Sequence, residues 1–376
     1  MAFGKTNHVK IDPTAYSLML LGEPKIGKST VMKEALELLT DTSYMFAEMG
    51  RERGADAIEG IRCINCPSWS EDYNEENNSV GWIDLVDDIC DNPTDYNIKV
   101  LVVDTYDQYI TIAEDEALRL WNKDNPEKRA KSLNASWGGF GAGGKKAIEL
   151  MFEAVDRLNE VGVKVWWIGH VRNKSITDIA SGESYEVLSS DQQQNYFNAL
   201  KKNLHFLGLA YIDRQIVREK TGRKDIKGKD IMKNAISEES RKIKFRDDSY
   251  AIDCGTRFSE IRDTIDMDAH QLVQTLEDAI KAEQSKSGKS FEESKEEQEA
   301  AEAKQMKEIA KAEKAKKAKK EVDLVVSKIT DYIKANKSSM AKIKPLLEKS
   351  KELGYKNPTE IDKLEDAEAV LALTEE

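Results

Sequence analysis

The sequence contains no apolar run approaching the ~20 residues that a helix needs to cross a bilayer, so we expect no transmembrane segment. Its start, MAFGKTNHVKIDP, lacks the apolar stretch of a secretory signal. Cysteine is also scarce: four in 376 residues are too few for a disulfide scaffold, which favours a cytoplasmic protein. The one CxxC motif, Cys63–Cys66, stands alone, because Cys90 and Cys254 lack the spacing of a four-ligand zinc site.

An excess of positive charge is missing too. The chain carries 57 basic and 69 acidic side chains, a formal net charge of −12. Such a chain is not a general coat for nucleic acids, so any nucleic-acid site has to be a local basic patch. Apolar residues make up 40% of the chain, which is enough for a buried core. The length suggests about two domains, or one large domain with an appendage.

The composition changes near residue 283. Glu, Lys and Ala dominate the next stretch, which is rich in helix formers and poor in apolar residues. We therefore predict a charged helical linker over residues 276–321, and its simplest interpretation is a solvated tether. A Lys-rich arm that touches DNA is the alternative. The helical spacing of apolar residues returns at Val322 and predicts a small helical module over residues 322–376.

Residues 13–275, which follow an N-terminal tail of residues 1–12, alternate between strand and helix patterns. The predicted strands are short and apolar: Ala15–Leu21, Tyr44–Ala47, Val100–Val103 and Val163–Ile168. The predicted helices are Lys28–Leu39, Gly81–Cys90 and Lys146–Glu160. This alternation predicts an α/β fold with a mostly parallel central sheet flanked by helices. Further strands, expected to be antiparallel, are Gly208–Glu219 and Arg241–Arg246, joined by a polar insert, Lys220–Glu239.

The strongest motif follows the first predicted strand. It has the form G-x4-G-K-S, from Gly22 to Ser29, and is typical of a P-loop. Its glycines let backbone N–H groups turn towards a polyphosphate, and the helix that follows adds its positive end. The motif predicts that Lys28 reaches the β- and γ-phosphates of ATP, that the Ser29 hydroxyl ligates Mg²⁺, and that Thr30 lies near the α-phosphate. The predicted nucleotide-binding residues are Gly22, Glu23, Pro24, Lys25, Ile26, Gly27, Lys28, Ser29 and Thr30.

A second carboxylate is needed to hold the magnesium ion. The apolar run Val100–Val103 ends in Asp104, which we expect to bind Mg²⁺ through water or to contact Ser29. Thr105, and not Glu, follows this residue, so the catalytic base has to lie elsewhere. Glu48 ends the strand after the P-loop helix, and if that strand neighbours the P-loop strand, its carboxylate can orient the attacking water. The alternative is a polar residue that only ends a strand.

The layout of these motifs over residues 13–275 resembles the RecA family of recombinases. The resemblance implies a RecA-like core with a base at Glu48 and a γ-phosphate sensor at the end of a later strand. This chain has His170 at that position, where the family usually has Gln, and a structural strand-end histidine is the alternative. Within the family, the chain is similar to phage single-strand annealing proteins of the Sak-four group. That similarity is carried by His170, by Gly208–Tyr211 and by Thr256-Arg257-Phe258.

The resemblance also implies rings or filaments in which a neighbouring subunit completes the nucleotide site. A basic residue of the neighbour then contacts the phosphates, in the manner of an arginine finger. Arg257 is the first candidate for this role, with Lys244 and Arg246 behind it. Surface ion pairing is the alternative for all three.

Two loops are expected to line a channel for single-stranded DNA. The first lies within Glu114–Lys146, where basic and aromatic residues and five glycines are interleaved; the alternative is a flexible loop whose tryptophans pack on the core. The second runs from Arg172 through Ser181 to about Gln194, and only its start is basic. The predicted DNA-binding residues are Lys128, Arg129, Lys131, Trp137, Lys145, Arg172 and Lys174.

The leading interpretation is an ATP-dependent, single-stranded-DNA-binding recombinase or annealing protein of phage type. It would use ATP and Mg²⁺ in the host cytoplasm, as a homo-oligomeric ring or filament. A helicase-like or helicase-loader ATPase of DNA replication is the alternative, and a scaffold that binds nucleotide without hydrolysis is a third. The C-terminal module is a candidate contact for a single-strand-binding protein or a replication partner.

Overall fold

The computed structural model describes residues 8–178, 182–224, 230–248, 251–286, 288, 290–337 and 339–374. The chain divides into two compact units. The first runs to Cys90 and resumes from Tyr96 to Ala300, and the second comprises Asp91–Asp95 and Ala301–Glu376. No helix within the described ranges is long and apolar enough to cross a membrane.

The first unit is built on one sheet. Its described strands are β1 (Leu18–Gly22), β2 (Tyr44–Met49), β3 (Cys63–Cys66), β4 (Val100–Asp104), β5 (Lys164–Thr177), β6 (Ser184–Ser190), β7 (Phe206–Lys224), β8 (Asp230–Lys244), β9 (Gly255–Thr256) and β10 (Thr264–Asp266). The order across the sheet is β10-β8-β7-β1-β5-β4-β2-β3, while β6 pairs with β5 and β9 with β7. Neighbours from β7 to β3 are parallel, and β6, β8, β9 and β10 add antiparallel pairs. The predicted α/β fold with a mostly parallel central sheet is confirmed.

Helices cover both faces of this sheet. The helices of the described residues are α1 (Lys28–Thr40), α2 (Trp82–Asp91), α3 (Pro93–Tyr96), α4 (Tyr106–Asp124), α5 (Ala142–Glu160), α6 (Gln194–Lys201), α7 (Ala269–Ser285), α8 (Phe291–Ala335), α9 (Met340–Glu352) and α10 (Leu364–Leu371). Adjacent residues of a strand point to opposite faces, so Trp166 and Trp167 lie in different cores. Trp167 packs with Trp82 and Tyr109 on one face, whereas Trp166 lies with residues of α1 and α7 on the other.

The CxxC motif forms β3, an edge strand that sequence patterns did not predict. Its residues pair in parallel with β2, from Phe46 opposite Cys63 to Met49 opposite Cys66. Cys66 is buried, and burial raises the pKa of its thiol. All four cysteines are free thiols, and the described residues contain no group of three or more His, Cys, Asp or Glu side chains that could hold a metal ion. Cys66 packs in one core of the sheet, and Cys63 packs against the other.

Two predicted loops are extensions of strands. The polar insert Lys220–Glu239 continues the β7–β8 hairpin, since Lys220 pairs with Met232 and Lys224 with Asp230; residues 225–229 lie outside the described residues. Likewise β5 runs past its predicted end at Ile168 and pairs with β6. Ser181, predicted in the second DNA loop, lies outside the described residues. Neither of these hairpin extensions was predicted from the sequence, because strands are recognised by their apolar residues. A hairpin that extends past the core has no apolar face to bury, so its residues are mostly polar.

The second unit has a small core of its own. Ile329 of α8, Leu346 of α9 and Val370 of α10 are fully buried there. The predicted boundary between residues 321 and 322 falls inside α8, which runs unbroken from Phe291 to Ala335. The predicted core end at residue 275 likewise falls inside α7, whose apolar face packs with α1. Within this unit, three lysines of α8 pair with two aspartates of the Asp91–Asp95 segment: Lys316 and Lys320 with Asp91, and Lys317 with Asp95.

Candidate active site

Three of the four predicted catalytic residues, Lys28, Glu48 and His170, lie at the carboxyl edge of the parallel strands. Gly22, the last residue of β1, pairs with His170 of β5. Asp104, the last residue of β4, pairs with Glu48 of β2. The condition set for Glu48, a strand next to the P-loop strand, is not met, because β5 and β4 separate β1 from β2. Glu48 reaches the site through its pairing with Asp104. We call Gly22, Glu48, Asp104 and His170, together with the P-loop, the nucleotide edge.

The P-loop joins β1 to α1. Gly27 has a φ of 107° and stands as the N-cap of α1, a conformation that glycine adopts without strain. Nζ of Lys28 donates hydrogen bonds to the carbonyl oxygens of Gly22, at 3.0 Å, and Glu23, at 2.9 Å. Burial lowers the pKa of Lys28, against the opposing charges of Asp104 and other nearby carboxylates. The ammonium of Lys28 is thus held at the P-loop, where the phosphates of ATP are predicted to bind.

Ser29 and Asp104 are in direct contact. The Ser29 hydroxyl donates a hydrogen bond of 2.6 Å to Oδ2 of Asp104, which is one of the two contacts considered for Asp104 from the sequence. Burial raises the pKa of Asp104, while the bond from Ser29 and the charge of Lys28 lower it. One carboxylate and one hydroxyl suit Mg²⁺, which takes few protein ligands and completes its shell with phosphate oxygens and water. The buried hydroxyl of Thr105, which has no hydrogen-bond partner in the described chain, also fits a site that holds water.

Glu48 is buried and fixed by the main chain. Its Oε1 accepts a hydrogen bond of 2.7 Å from the N–H of Ala55. Burial raises the pKa of this carboxyl, and the charges of Asp104 and Asp56 raise it further, while the bond from Ala55 lowers it. A raised pKa makes the ionised carboxylate a stronger base, which is what activation of water requires.

His170 is held by a residue that sequence reasoning missed. Asp107, in the first turn of α4, accepts hydrogen bonds from the main-chain N–H of His170, at 2.9 Å, and from its ring Nδ1, at 3.0 Å. Its other oxygen accepts a bond of 2.9 Å from Nε2 of Gln192. In the sequence, Asp107 looks like an ordinary acidic residue at a helix start, so its spacing of three from Asp104 was the only available signal.

Arg241 is a second residue that sequence reasoning missed. It lies on β8 opposite Ile212 of β7. Its Nη1 is 3.5 Å from the point where a Cβ added to Gly27 would stand. The side chain is exposed, and its guanidinium makes no hydrogen bond or ion pair with the described residues. Only the antiparallel return of β8 brings this charge to the P-loop, and no local motif signals such a return.

A family model described as an AAA domain matches residues 14–244, well over half of the chain. The chain belongs to the AAA domain family. The match begins just before β1 and ends at the last residue of β8, so it contains the whole nucleotide edge. This AAA domain is a nucleotide-binding P-loop ATPase of the AAA type. No curated protein matches the chain.

Arg257, Lys244 and Arg246 are all engaged by the chain itself. Nε of Arg257 donates to the carbonyl oxygen of Leu204 at 3.0 Å, and Nη2 donates to that of Lys202. Lys244 pairs with Asp247 at 2.5 Å. Arg246 donates to the carbonyl oxygens of Phe258 and Ser259, the latter at 2.8 Å. The position of Arg257, beside the amino end of β7, gives no support to its predicted role as an arginine finger.

The first predicted DNA loop is shorter than expected, because α4 extends to Asp124 and α5 begins at Ala142. We call residues 125–141 the α4–α5 loop. Its predicted contacts Lys128, Arg129 and Lys131 are exposed, as is Lys145 in the first turn of α5.

The two aromatic side chains of the α4–α5 loop differ in environment. Trp137 is half-buried: its Nε1 donates to the carbonyl oxygen of Ala117 at 2.9 Å, and its ring lies 5.7 Å from that of Trp121. Phe140, three residues on, is fully exposed. The interpretation that a tryptophan packs on the core therefore fits Trp137, and the free aromatic surface of the loop belongs to Phe140.

The second predicted DNA contact lies on the β5–β6 hairpin. Nε of Arg172 is 3.3 Å from Oδ1 of Asp191. Nζ of Lys174 donates to the carbonyl oxygen of Gln192 at 2.8 Å. Both cations of this part of the AAA domain are thus already engaged by residues 191–192, and they offer less free charge than the α4–α5 loop.

Proposed function

We propose that this AAA domain hydrolyses ATP and uses the cycle to control its grip on single-stranded DNA, as a recombinase or annealing protein. The observation that carries the ATPase half is the direct contact of Ser29 with Asp104, at 2.6 Å, beside the register pair of Asp104 and Glu48. It joins a metal-binding pair to a buried carboxylate in a fixed geometry, and such preorganisation lowers the barrier of phosphoryl transfer.

Each residue of the nucleotide edge then has a task. Lys28 neutralises charge on the β- and γ-phosphates, and Ser29 and Asp104 hold Mg²⁺. When bound, Mg²⁺ offsets the negative charge that develops on the phosphates. Glu48 accepts a hydrogen bond from the attacking water and aligns it with the γ-phosphorus. His170, level with Gly22, faces the γ-phosphate and reports its presence.

The α4–α5 loop supports the DNA half of the proposal. Its exposed cations match a phosphate backbone, and the exposed ring of Phe140 offers a stacking surface. Stacking needs an unpaired base, so this combination suits a single strand better than a duplex. Subunits would assemble as a ring or filament along the strand.

Fluorescence-quenching annealing and forked-duplex unwinding distinguish the candidate functions. We expect Mg²⁺-dependent ATP turnover that single-stranded DNA stimulates, pairing of complementary strands, and no unwinding. The Lys28→Ala variant, which lacks the charge on the phosphates, is the negative control for each activity. Unwinding of the fork would favour a helicase or loader, and binding of ATP without turnover would favour a scaffold. Electron microscopy with DNA and a slowly hydrolysed ATP analogue then separates rings from filaments.

A further inference from the structure

Asp107 is a largely buried carboxylate that the proposed reaction does not use. Its side chain is 11% exposed, and it accepts three hydrogen bonds, two from His170 and one from Gln192. Burial alone would raise the pKa of Asp107, but the bonds from His170 and Gln192 outweigh it and lower the pKa. A charged group kept out of water is costly unless it is fully hydrogen-bonded, so its presence calls for a role.

The bonds to His170 fix the imidazole ring. The same oxygen of Asp107 meets both the main-chain N–H and the ring Nδ1, so the ring has little freedom to rotate. Since the carboxylate accepts from Nδ1, that nitrogen carries a proton whether the ring is neutral or charged. Nε2 is then the ring nitrogen left to meet a phosphate.

The third bond reaches the segment between β6 and α6. Gln192 lies in that segment and donates to the second oxygen of Asp107. The preceding residue, Asp191, donates its N–H to the carbonyl oxygen of His170 at 2.9 Å. The carboxylate therefore holds the sensing strand and this segment at one point, and Lys174 of the hairpin bonds to the same segment.

We infer that Asp107 is a positioning residue that presents Nε2 of His170 to the γ-phosphate and ties that ring to the β6–α6 segment. The inference rests on the proposed function, because it takes His170 to face the γ-phosphate. Its effect is on the discrimination between ATP and ADP: a fixed ring makes a bond that only the triphosphate offers. A carboxylate that merely stabilised the fold would act on both nucleotides alike.

Binding of nucleotides to the full chain with Mg²⁺ tests this without any need for turnover. Fluorescence titration gives the affinities for ADP and for a slowly hydrolysed ATP analogue. Asp107→Asn should lower the affinity for the analogue about tenfold, the loss of one hydrogen bond to a charged group, and leave ADP affinity within about twofold. His170→Ala should do the same. Asp115→Asn, on the exposed side of the same helix, is the matched control and should change neither affinity.

The double variant decides whether Asp107 acts through His170. Adding Asp107→Asn to His170→Ala should cost little more than His170→Ala alone. Fully additive losses, equal losses for ADP and the analogue, or an unchanged preference would each overturn the inference.

If Asp107→Asn does not fold, Gln192→Ala removes the outer bond and should lower the preference for the analogue about threefold; an unchanged preference in that variant would likewise overturn it. A parent chain that binds both nucleotides but hydrolyses neither would refute the proposed function and leave this comparison intact.

Discussion

The nucleotide edge and the α4–α5 loop hold their polar side chains in opposite ways. Glu48 and Asp104 are 1% and 6% exposed, and protein groups hydrogen-bond to both. Lys128, Arg129 and Lys131 are exposed on a loop whose last aromatic side chain, Phe140, is open to solvent. Buried polar groups need hydrogen-bond partners within the protein, whereas exposed ones are hydrogen-bonded to water until a ligand binds.

This difference has a consequence for the two proposed activities. The chemistry of the nucleotide edge is built before any substrate arrives, so a change of its proposed base, Glu48, should affect rate more than affinity. The contacts of the α4–α5 loop are to be completed by DNA, so changes there should affect affinity and its dependence on salt. A variant of Glu48 should therefore change ATP turnover and leave DNA affinity unchanged, and variants of the α4–α5 loop should do the reverse.

The largest effect is expected from Glu48→Gln. The amide keeps the shape and the bond from Ala55 but is no base, so turnover should fall by about 10²–10⁴-fold while nucleotide affinity stays close to that of the parent. Steady-state ATP turnover and fluorescence titration measure the two quantities. Glu34→Gln, an exposed change on α1, is the control. Loss of affinity with an unchanged residual rate would make Glu48 a structural residue.

Reversal of charge on Lys128, Arg129 and Lys131 is the corresponding change in the loop. We expect affinity for single-stranded DNA to fall steeply, and the slope of log affinity against log salt to fall by about two units, at roughly 0.7 for each phosphate contact. ATP turnover without DNA should persist. Fluorescence anisotropy over a range of salt concentrations measures the slope.

The lysines of α8 provide a matched control for this variant. Lys304, Lys307 and Lys311 are exposed, and reversing them changes net charge equally. If their reversal weakens DNA binding and that of the loop does not, the Lys-rich arm is the DNA contact and the α4–α5 loop is not.

Trp137→Ala and Phe140→Ala separate packing from stacking within the loop. Trp137→Ala should lower the free energy of unfolding by about 2 kcal/mol, through the lost hydrogen bond to Ala117 and the lost ring contact with Trp121. Phe140→Ala should leave thermal stability unchanged and weaken DNA binding by about 1–3 kcal/mol, with the salt slope preserved. Equal DNA affinity in Phe140→Ala and the parent would rule out stacking on this ring.

The smallest expected effect concerns Arg241. Its guanidinium lies at Gly27 of its own chain, so Arg241→Ala should weaken nucleotide binding about fivefold even at protein concentrations too low for assembly. Lys242→Ala is the control, because that neighbouring lysine pairs with Asp266. A loss that appears only at concentrations where subunits assemble would instead make Arg241 a contact to the neighbour's nucleotide.

Sequence patterns were sufficient where chemistry is concentrated in a local motif. The P-loop and the apolar run before Asp104 carry their strand context with them, so the contact between Ser29 and Asp104 could be foreseen. Glu48 was found from its position at a strand end, although the strand order that brings it to Asp104 was not. Strand order depends on pairings between distant segments, which no local pattern encodes.

The residues that were missed or misplaced depend on contacts of this distant kind. Arg241 reaches the P-loop only because β8 returns antiparallel beside β7, and Asp107 meets Gln192 across 85 positions of sequence. Arg257, a candidate contact to a neighbouring subunit in the sequence, bonds to the main chain near the start of β7. Polar side chains with partners far along the chain look the same in a sequence as polar side chains in solvent.

The position of β1 also governs when the molecule can be completed. This strand lies between β5 and β7, and its residues Met19 and Leu20 pair with Trp167 and Gly208. At about 5–20 residues per second, a ribosome needs roughly 10–40 seconds to deliver the later partner. Until then the apolar strand has no finished sheet to enter, and closure over so long a span slows folding further. A nascent chain interrupted before β7 would carry every residue of the nucleotide edge but would leave one side of β1 without its partner strand, open to chaperones or to aggregation.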